Sequence, residues 1–506
     1  MRIIFTFILL THLFQYVQAQ NPGDLDSTFG INGKVSTVVG TGTGLFFAIP
    51  NTVLMQPDGK ILVSGFGDNF VTNADFAVVR YNTDGSLDSA FGTAGIVMTN
   101  LVWFDTQTAM VLQPDGKIVV AGFGQFSGPQ SLAMARYLTD GTIDSTFGTA
   151  GIVILAAPGF NYNINKIALQ SDGKIVVSGS NGSGLASSCM ILRFTASGSL
   201  DNSFDSDGVV TFQLTGGLNV ATAVAIQPDN KIVITGYGDN DLFISRINTD
   251  GSFDSSFGNS GSILLTSGKG MHIFLQPDNK IVVSGKKDGS CSLIRLNIDG
   301  TLDSSFANGG IMTSTAPALT NTFYQTAQQT DGKFISVATY FGIGGNRDFL
   351  VASHNSDGSV DSTFGNNGYV TTDFVGEFDE PRSLGIQQDG KIIVAGFNEN
   401  ASSYNFGLVR YHSSFSVGIP AIQDFSYPWS IYPNPSQGIF TLEVSNNSVF
   451  NPKTIELFNV YGQKIFHSTI STDKSVWNFS DLAKGIYLMQ ITDPKKNSST
   501  KKIFIQ

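Results

Sequence analysis

The sequence predicts an all-β protein: a seven-bladed β-propeller of four-stranded repeats, closed by its N-terminal strand and followed by a small C-terminal β-sandwich. Three observations carry this reading. One phrase recurs seven times at a near-constant spacing, each repeat holds signals for four short strands, and the two ends of the repeat array are complementary pieces of one unit.

The phrase is Gln-x-Asp-Gly/Asn-Lys followed by an apolar run, with its Gln at Gln56, Gln113, Gln170, Gln227, Gln276, Gln329 and Gln387. A second phrase, Leu-Asp-Ser-x-Phe-Gly or a close variant, places its Asp at Asp26, Asp88, Asp144, Asp201, Asp254, Asp303 and Asp361. Between the two lies apolar-x-Arg, at Arg80, Arg136, Arg193, Arg246, Arg295 and Arg410, with His354 read as its counterpart in the sixth copy.

Within the second copy the strands follow in order. Ala109 to Gln113 is short and apolar and runs into Pro114-Asp115-Gly116, a tight turn. Lys117 to Gly122 leaves that turn as a β-branched run, Leu132 to Tyr137 ends at Asp140-Gly141, and Gly151 to Leu155 supplies the fourth strand. No helical periodicity interrupts the repeats. A four-stranded unit this thin cannot bury both faces alone, so the copies pack on one another, and radial packing also protects the strand edges.

The ends fix the closure. Leu25 to Gly30 and the strand from Gly33 to Val39 precede any inner strand, while the last copy stops just after Arg410-Tyr411 and lacks that same piece. The N-terminal strand is therefore expected to complete the seventh blade.

The phrases Gln-Pro-Asp-Gly-Lys-Ile-Val-Val-Ala-Gly and Arg-Tyr-Asn-Thr-Asp-Gly-Ser-Leu-Asp-Ser-x-Phe-Gly resemble delta-60 repeats, a bacterial family of units of roughly 55 residues. The resemblance covers Asp24 to His412. It implies a propeller-like, extracellular protein and implies no reaction.

Both chain ends differ from the repeats. Arg2, the apolar run Ile3 to Leu10 and Val17-Gln18-Ala19 read as a signal peptide, residues 1–19, cut before Gln20. The propeller is assigned to residues 20–416 and a linker to 417–429. From Ser430 a new pattern begins: Tyr432-Pro433-Asn434-Pro435 with Gly438, then Leu457 to Gln463 with Gly462, then Leu482 to Leu488 with Gly485 and Tyr487. Short strands separated by turn residues predict a β-sandwich over 430–506. This segment resembles the type A C-terminal sorting domain of the type IX secretion system of Bacteroidota. By that resemblance the protein passes to the cell surface or the extracellular space, with the secretion machinery as a partner.

Composition agrees with such an address. Forty acidic against 29 basic residues give a net charge of -11, which argues against nucleic-acid binding. Past the signal no run is long or apolar enough for a membrane helix, so a mature chain without a transmembrane segment, and monomeric, is expected. Cys189 and Cys291 hold equivalent places on third strands of non-adjacent repeats and read as buried small hydrophobes rather than a disulfide.

Candidate chemistry is sparse. Asp84 and Asp88 suggest calcium ligands, but Asx-turns explain the same Asp, Ser and Gly residues, and Ser197 replaces the Asp84 carboxylate in the third unit, so no cofactor is assigned. The recurring Arg reads as a structural tie. Function is better sought where the copies disagree. Four residues before the motif Gln stand Thr52, Ala109, Lys166, Ala223, His272, Gln325 and Ser383. Lys166, His272 and Gln325 are read as facing a shared central opening; the competing reading is positions free to drift. No nucleophile elbow, metalloprotease helix or phosphate loop is present, so no catalytic residue is assigned. The favoured function is a secreted binding module for glycan or protein. The alternatives are an extracellular hydrolase or lyase acting on polysaccharide, and a passive envelope component.

Overall fold

The computed structural model describes residues 21–413 and 429–506, apart from 42–46, 70–72, 102–103, 126–127, 157–160, 184–185, 315–321, 375–377 and 401–402 in the first part and 445–452, 460–463, 471, 473, 481, 483 and 493–497 in the second. The signal segment 1–19, most of the linker and Gly462 lie outside the described residues. The chain divides into two units, Met1–Ser416 and Val417–Gln506.

The first unit is a seven-bladed propeller. In blade 3, for example, Asn161–Leu169, Ile175–Ser183, Ala186–Phe194 and Val209–Phe212 pair antiparallel in sequence order, innermost first. The inner strands of the other blades are Ile49–Met55, Phe104–Leu112, Asn219–Ile226, Gly268–Leu275, Gln325–Gln328 and Asp379–Ile386. Each packs on the inner strand of the next blade, and that of blade 7 packs on that of blade 1. Blade 1 carries one addition, the two-residue strand Gly40–Thr41 parallel to its second strand.

Antiparallel pairing sorts the loops. The Gln-x-Asp-Gly-Lys turns and the loops between third and fourth strands fall at one end, the motif end; the hairpins between second and third strands and the crossovers between blades fall at the other, the open end.

At the motif end the three phrases meet. In blade 1, Arg80 Nε and Lys60 Nζ donate to the Asp88 carboxylate at 2.7 and 2.8 Å, and the guanidinium lies 4.4 Å from the centre of the Phe91 ring. Arg80 also donates to the Thr139 carbonyl of blade 2. The set recurs with Lys117, Arg136 and Asp144; Lys174, Arg193 and Asp201; Lys231, Arg246 and Asp254; and Lys280, Arg295 and Asp303, each Arg reaching a carbonyl of the following blade. The residue after each motif Phe turns at positive φ, and it is Gly in five copies and Asp205 or Ala307 in the other two: at Gly92 (φ +52°) a Cβ would stand 2.5 Å from the Ile96 carbonyl oxygen.

The seventh set is assembled from both chain ends. Lys34–Thr37 pairs with Ser403–Tyr411 as the outer strand of blade 7, and Asp26 receives Arg410 at 2.8 Å and Lys391 at 3.0 Å. Tyr81 Oη donates to Thr37 at 2.9 Å, as Tyr137 and Tyr411 donate to Thr99 and Thr372 of their preceding blades. Burial pushes the Asp26 carboxyl up, but hydrogen bonds from Thr28 and Lys391 and the Arg410 charge outweigh it and hold the group far below the usual carboxylate range.

Blade 6 departs from the pattern, and there the sequence reading is corrected. Strand register pairs Ile335 with Ser353 and Phe334 with His354, as Leu62 pairs with Arg80 and Ile61 with Tyr81. Ser353 thus holds the Arg slot, donating to Asp361 at 3.0 Å, and His354 holds the slot of Phe194 and Leu296. The sequence offers a basic residue one place off, and only pairing across the sheet shows the shift. His354 is fully buried, neither ring nitrogen has a hydrogen-bond partner, and burial lowers its pKa to about 4 despite the nearby Asp361.

Cys189 and Cys291 are free and buried. The second unit is a β-sandwich: a three-stranded sheet of Trp429–Tyr432, Ile439–Val444 and Lys474–Asn478 faces a four-stranded sheet of Lys464–Ile470, Lys453–Asn459, Gly485–Thr492 and Ser498–Ile505 over an apolar core that includes Phe440, Ile455, Met489 and Ile503.

Two measurements test these ties. Asp26→Asn leaves Arg410 and Lys391 without their carboxylate, and both it and the mid-ring Asp201→Asn are expected to cost about 3–5 kcal/mol in denaturant unfolding; a neutral Asp26→Asn beside a costly Asp201→Asn would show that the N-terminal strand does not close the ring. His354→Phe removes two unpaired nitrogens and is expected to stabilise by about 1–3 kcal/mol. Because the folded His354 pKa lies below the unfolded value, wild-type stability falls as pH drops from about 6.5 toward 4, so the advantage of the variant grows over that window.

Candidate functional site

The residues that recur in every blade are consumed in holding it. Asp84 accepts from Ser86 N at 2.9 Å and Ser86 Oγ at 2.6 Å, which is an Asx-turn, and Asp88 lies between two cations. The motif Gln reaches the next blade's turn, as Gln170 Nε2 does to the Asn230 carbonyl at 2.8 Å.

Nearer the axis, six of the inner strands carry a register shift just before the variable position, for example between Ile164 and Lys166 and between Gly270 and His272. Such a bulge bends the strand and re-aims its side chains. The bulged residues staple blades together: Asn51 Nδ2 donates to the Gln107 carbonyl at 2.7 Å, Asn165 Nδ2 to Ala221 at 2.9 Å and Thr222 Oγ1 to Gly270 at 2.6 Å.

The residues after the bulge divide by size. Thr52, Ala109, Ala223 and Ser383 are buried, whereas Lys166, His272 and Gln325 keep solvent-accessible surface. Lys166 on blade 3 and His272 on blade 5 flank the small Ala223 of blade 4. Desolvation lowers the Lys166 pKa to about 8, with no carboxylate in contact to oppose it. Desolvation, reinforced by the Lys166 charge, lowers His272 to about 3, so the imidazole is neutral at pH 7. His272 Nδ1 is buried without a hydrogen-bond partner. The two side chains thus share one electrostatic environment across the blade between them. Gln325 does not join them: its Nε2 donates to the Leu384 carbonyl at 3.2 Å, and its Oε1 accepts from Ser383 Oγ at 2.7 Å and Leu384 N at 3.2 Å, tying blade 6 to blade 7.

A second constellation has no counterpart in the sequence reading. Asp348, Asp373 and Asp379, where blade 6 passes to blade 7, bring carboxylate oxygens within 4.8 Å of one another. Burial and the two neighbouring charges raise Asp379 to about 6. Asp379 accepts from Phe374 N at 2.7 Å and so closes the crossover loop, as Asp105 does with Leu101 N and Asn219 with Leu214 N in other blades.

In the second unit, Tyr432 Oη donates to Glu443 at 2.6 Å. Asn434 clips the Pro433 and Pro435 segment to the last strand, giving its Nδ2 to the Lys502 carbonyl at 2.7 Å and taking Phe504 N at 2.9 Å. A Cβ at Gly438 (φ +102°) would stand 2.5 Å from Ser480 Cα, and Gly485 opens the strand on which Tyr487 is buried. No helix among the described residues is long and apolar enough to cross a membrane.

Comparison with known families agrees with this division. Residues 430–506 match the secretion system C-terminal sorting domain, and residues 56–91, 113–147, 170–204, 227–257, 276–306, 329–364 and 387–414 match a domain of unknown function described as the DUF5122 beta-propeller. Among curated proteins, 77 residues are 30% identical to an endo-acting ulvan lyase of Formosa agariphila; the match covers 15% of this chain and spans only 14% of that protein. Solved structures similar to the chain include a putative oxidoreductase (glucose dehydrogenase) of Thermus thermophilus, at 13% identity over 75% of this chain and 100% of that one with a TM-score of 0.35. The polysaccharide lyase Uly1 is similar at 9% identity over 72% of this chain and 89% of its own, with a TM-score of 0.38. Likenesses this distant carry no argument about chemistry. The chain is therefore a propeller of seven DUF5122 repeats with a C-terminal type IX sorting domain, and it is exported to the cell surface or the extracellular space.

Proposed function

We propose that the propeller is an extracellular binding module, for glycan or protein, whose ligand enters at the axis where Lys166 and His272 stand. One observation carries this reading: the side chains common to all blades are spent on structural ties, while Lys166 carries a charge with no carboxylate partner and His272 an unpartnered nitrogen. An uncompensated desolvated cation costs stability, and such costs concentrate at functional sites. A neutral imidazole donor or acceptor beside an ammonium suits a hydroxyl-rich or anionic ligand. The reading of the chain as a polysaccharide hydrolase or lyase stays the alternative, and the same experiment separates the two.

A glycan-array screen of the secreted chain, with mass analysis of each bound sugar, is expected to return specific binding of intact sugar. Lys166→Ala and His272→Ala are each expected to weaken it at least about tenfold while the fold persists. Cleaved sugar would replace the binding reading with the enzyme; full affinity in both variants would remove the axis as the site.

The charge itself is measurable. The folded Lys166 pKa of about 8 lies below its unfolded value, so the unfolded chain binds the proton more tightly and wild-type stability rises as pH increases from about 8 to 10.4. Lys166→Met is expected to be more stable than wild type at pH 7 and to lose this increment, read as the wild-type minus variant difference across the pH series.

A further inference from the structure

Each motif Lys of the propeller meets a carboxylate, and so does Lys287, while Lys34 donates to the Asp373 carbonyl. Three lysines among the described propeller residues meet neither: Lys166, Lys269 and Lys286. In an acidic chain this is a selective pattern. Lys269 and Lys286 are also direct cross-strand partners in blade 5, an arrangement in which like charges repel. Lys269 lies three residues before His272 on the same inner strand, toward the open end.

The two ammonium groups line a cleft of about 470 Å³ at the open end between blades 4 and 5. Its remaining walls are Asn240, Ser267, Asp288 and two glycines, with no apolar side chain among them. Asp288 is neutralised by Lys287 at 2.6 Å, so the cleft is left with net positive charge. Its rim is rigid: Gly268 N donates to the Asn240 carbonyl at 2.8 Å, Asp288 N to the Ser267 carbonyl at 2.8 Å and Ser267 N to Asp241 at 3.0 Å. Lys269 Nζ is held over the Tyr237 ring, 4.2 Å from its centre, which fixes the ammonium without discharging it.

We infer that this cleft binds an acidic polysaccharide, with Lys269 and Lys286 receiving a carboxylate or sulfate group and Asn240 and Ser267 the neighbouring hydroxyls. The inference rests on the binding reading above and names its ligand class. Two cross-strand lysines that line one cleft supply cations for an anionic substituent, and the polar, glycine-lined wall suits sugar hydroxyls. A protein partner needs apolar anchors that this cleft does not offer.

The test uses the full secreted chain against dextran sulfate, polygalacturonate, neutral dextran and polyglutamate. Salt-sensitive binding to dextran sulfate or polygalacturonate is expected, the two arms separating sulfate from carboxylate recognition, with neutral dextran not retained. The double variant K269Q/K286Q is expected to weaken binding at least about tenfold with a melting temperature at or above that of wild type, since the like-charge pair is relieved, and K269R/K286R to keep most of the binding. Binding to neither acidic polysaccharide, preference for polyglutamate, or full affinity in K269Q/K286Q overturns the inference. If a ligand from the array is lost in Lys166→Ala but kept in K269Q/K286Q, the axial site stands and this cleft is not part of it; if polyanion binding is lost in K269Q/K286Q and untouched in Lys166→Ala, the cleft stands and the axial site falls.

Discussion

The propeller depends on one interaction: a buried carboxylate at the motif end of every blade that meets the motif Lys and, in six of the seven blades, the Arg of the third strand, with Ser353 in its place in blade 6. The recurring phrases are its parts, the Asp from the loop after the third strand, the Arg from that strand and the Lys from the turn between the first two. Because the Arg then reaches a carbonyl of the following blade, the same group that closes a blade also spaces it from its neighbour. Buried ion pairs of this kind add little net stability over apolar packing, but their geometry is demanding. That is a reason for the sequence to hold them constant while much else drifts.

Constancy at one end leaves freedom at the other. The antiparallel meander sends each motif to the same face of the ring, and the crossovers and hairpins of the open end carry no common phrase. The bulges on the inner strands mark the boundary between these regimes, since the residue after the bulge is a packing alanine in blades 2 and 4 but an ammonium in blade 3 and an imidazole in blade 5. Among the described propeller residues, the lysines that meet no carboxylate or carbonyl, Lys166, Lys269 and Lys286, thus fall in blades 3 and 5.

How much of this the sequence discloses follows from range. Blade number, strand order and the clasp between Asp26 and Arg410 are readable because each rests on a phrase that recurs. The slot of His354 is misread by one residue because only the pairing of Ser353 with Ile335 distinguishes the two positions. Lys166 and His272 are findable as disagreements in an aligned column, but their mutual influence across blade 4 is not. Gln325 appears in the same column and serves a different end, since its amide is taken by Ser383 and Leu384 of the adjacent blade. The cleft of Lys269 and Lys286 is not legible along the chain because it depends on cross-strand register; the adjacent pair Lys286-Lys287, outside any motif, is the signal that marks it.

The clasp also dictates an order of events. Thr28 and Arg410, 382 residues apart along the chain, meet in the last ion-pair set. Bringing such distant segments together carries a loop-closure cost that falls as intervening blades dock, so the ring seals late. The N-terminal strand is synthesised long before its partner and finds it last. Until the seventh repeat is made, the edge of that strand lacks Ser403–Tyr411, the partner it pairs with in the finished ring.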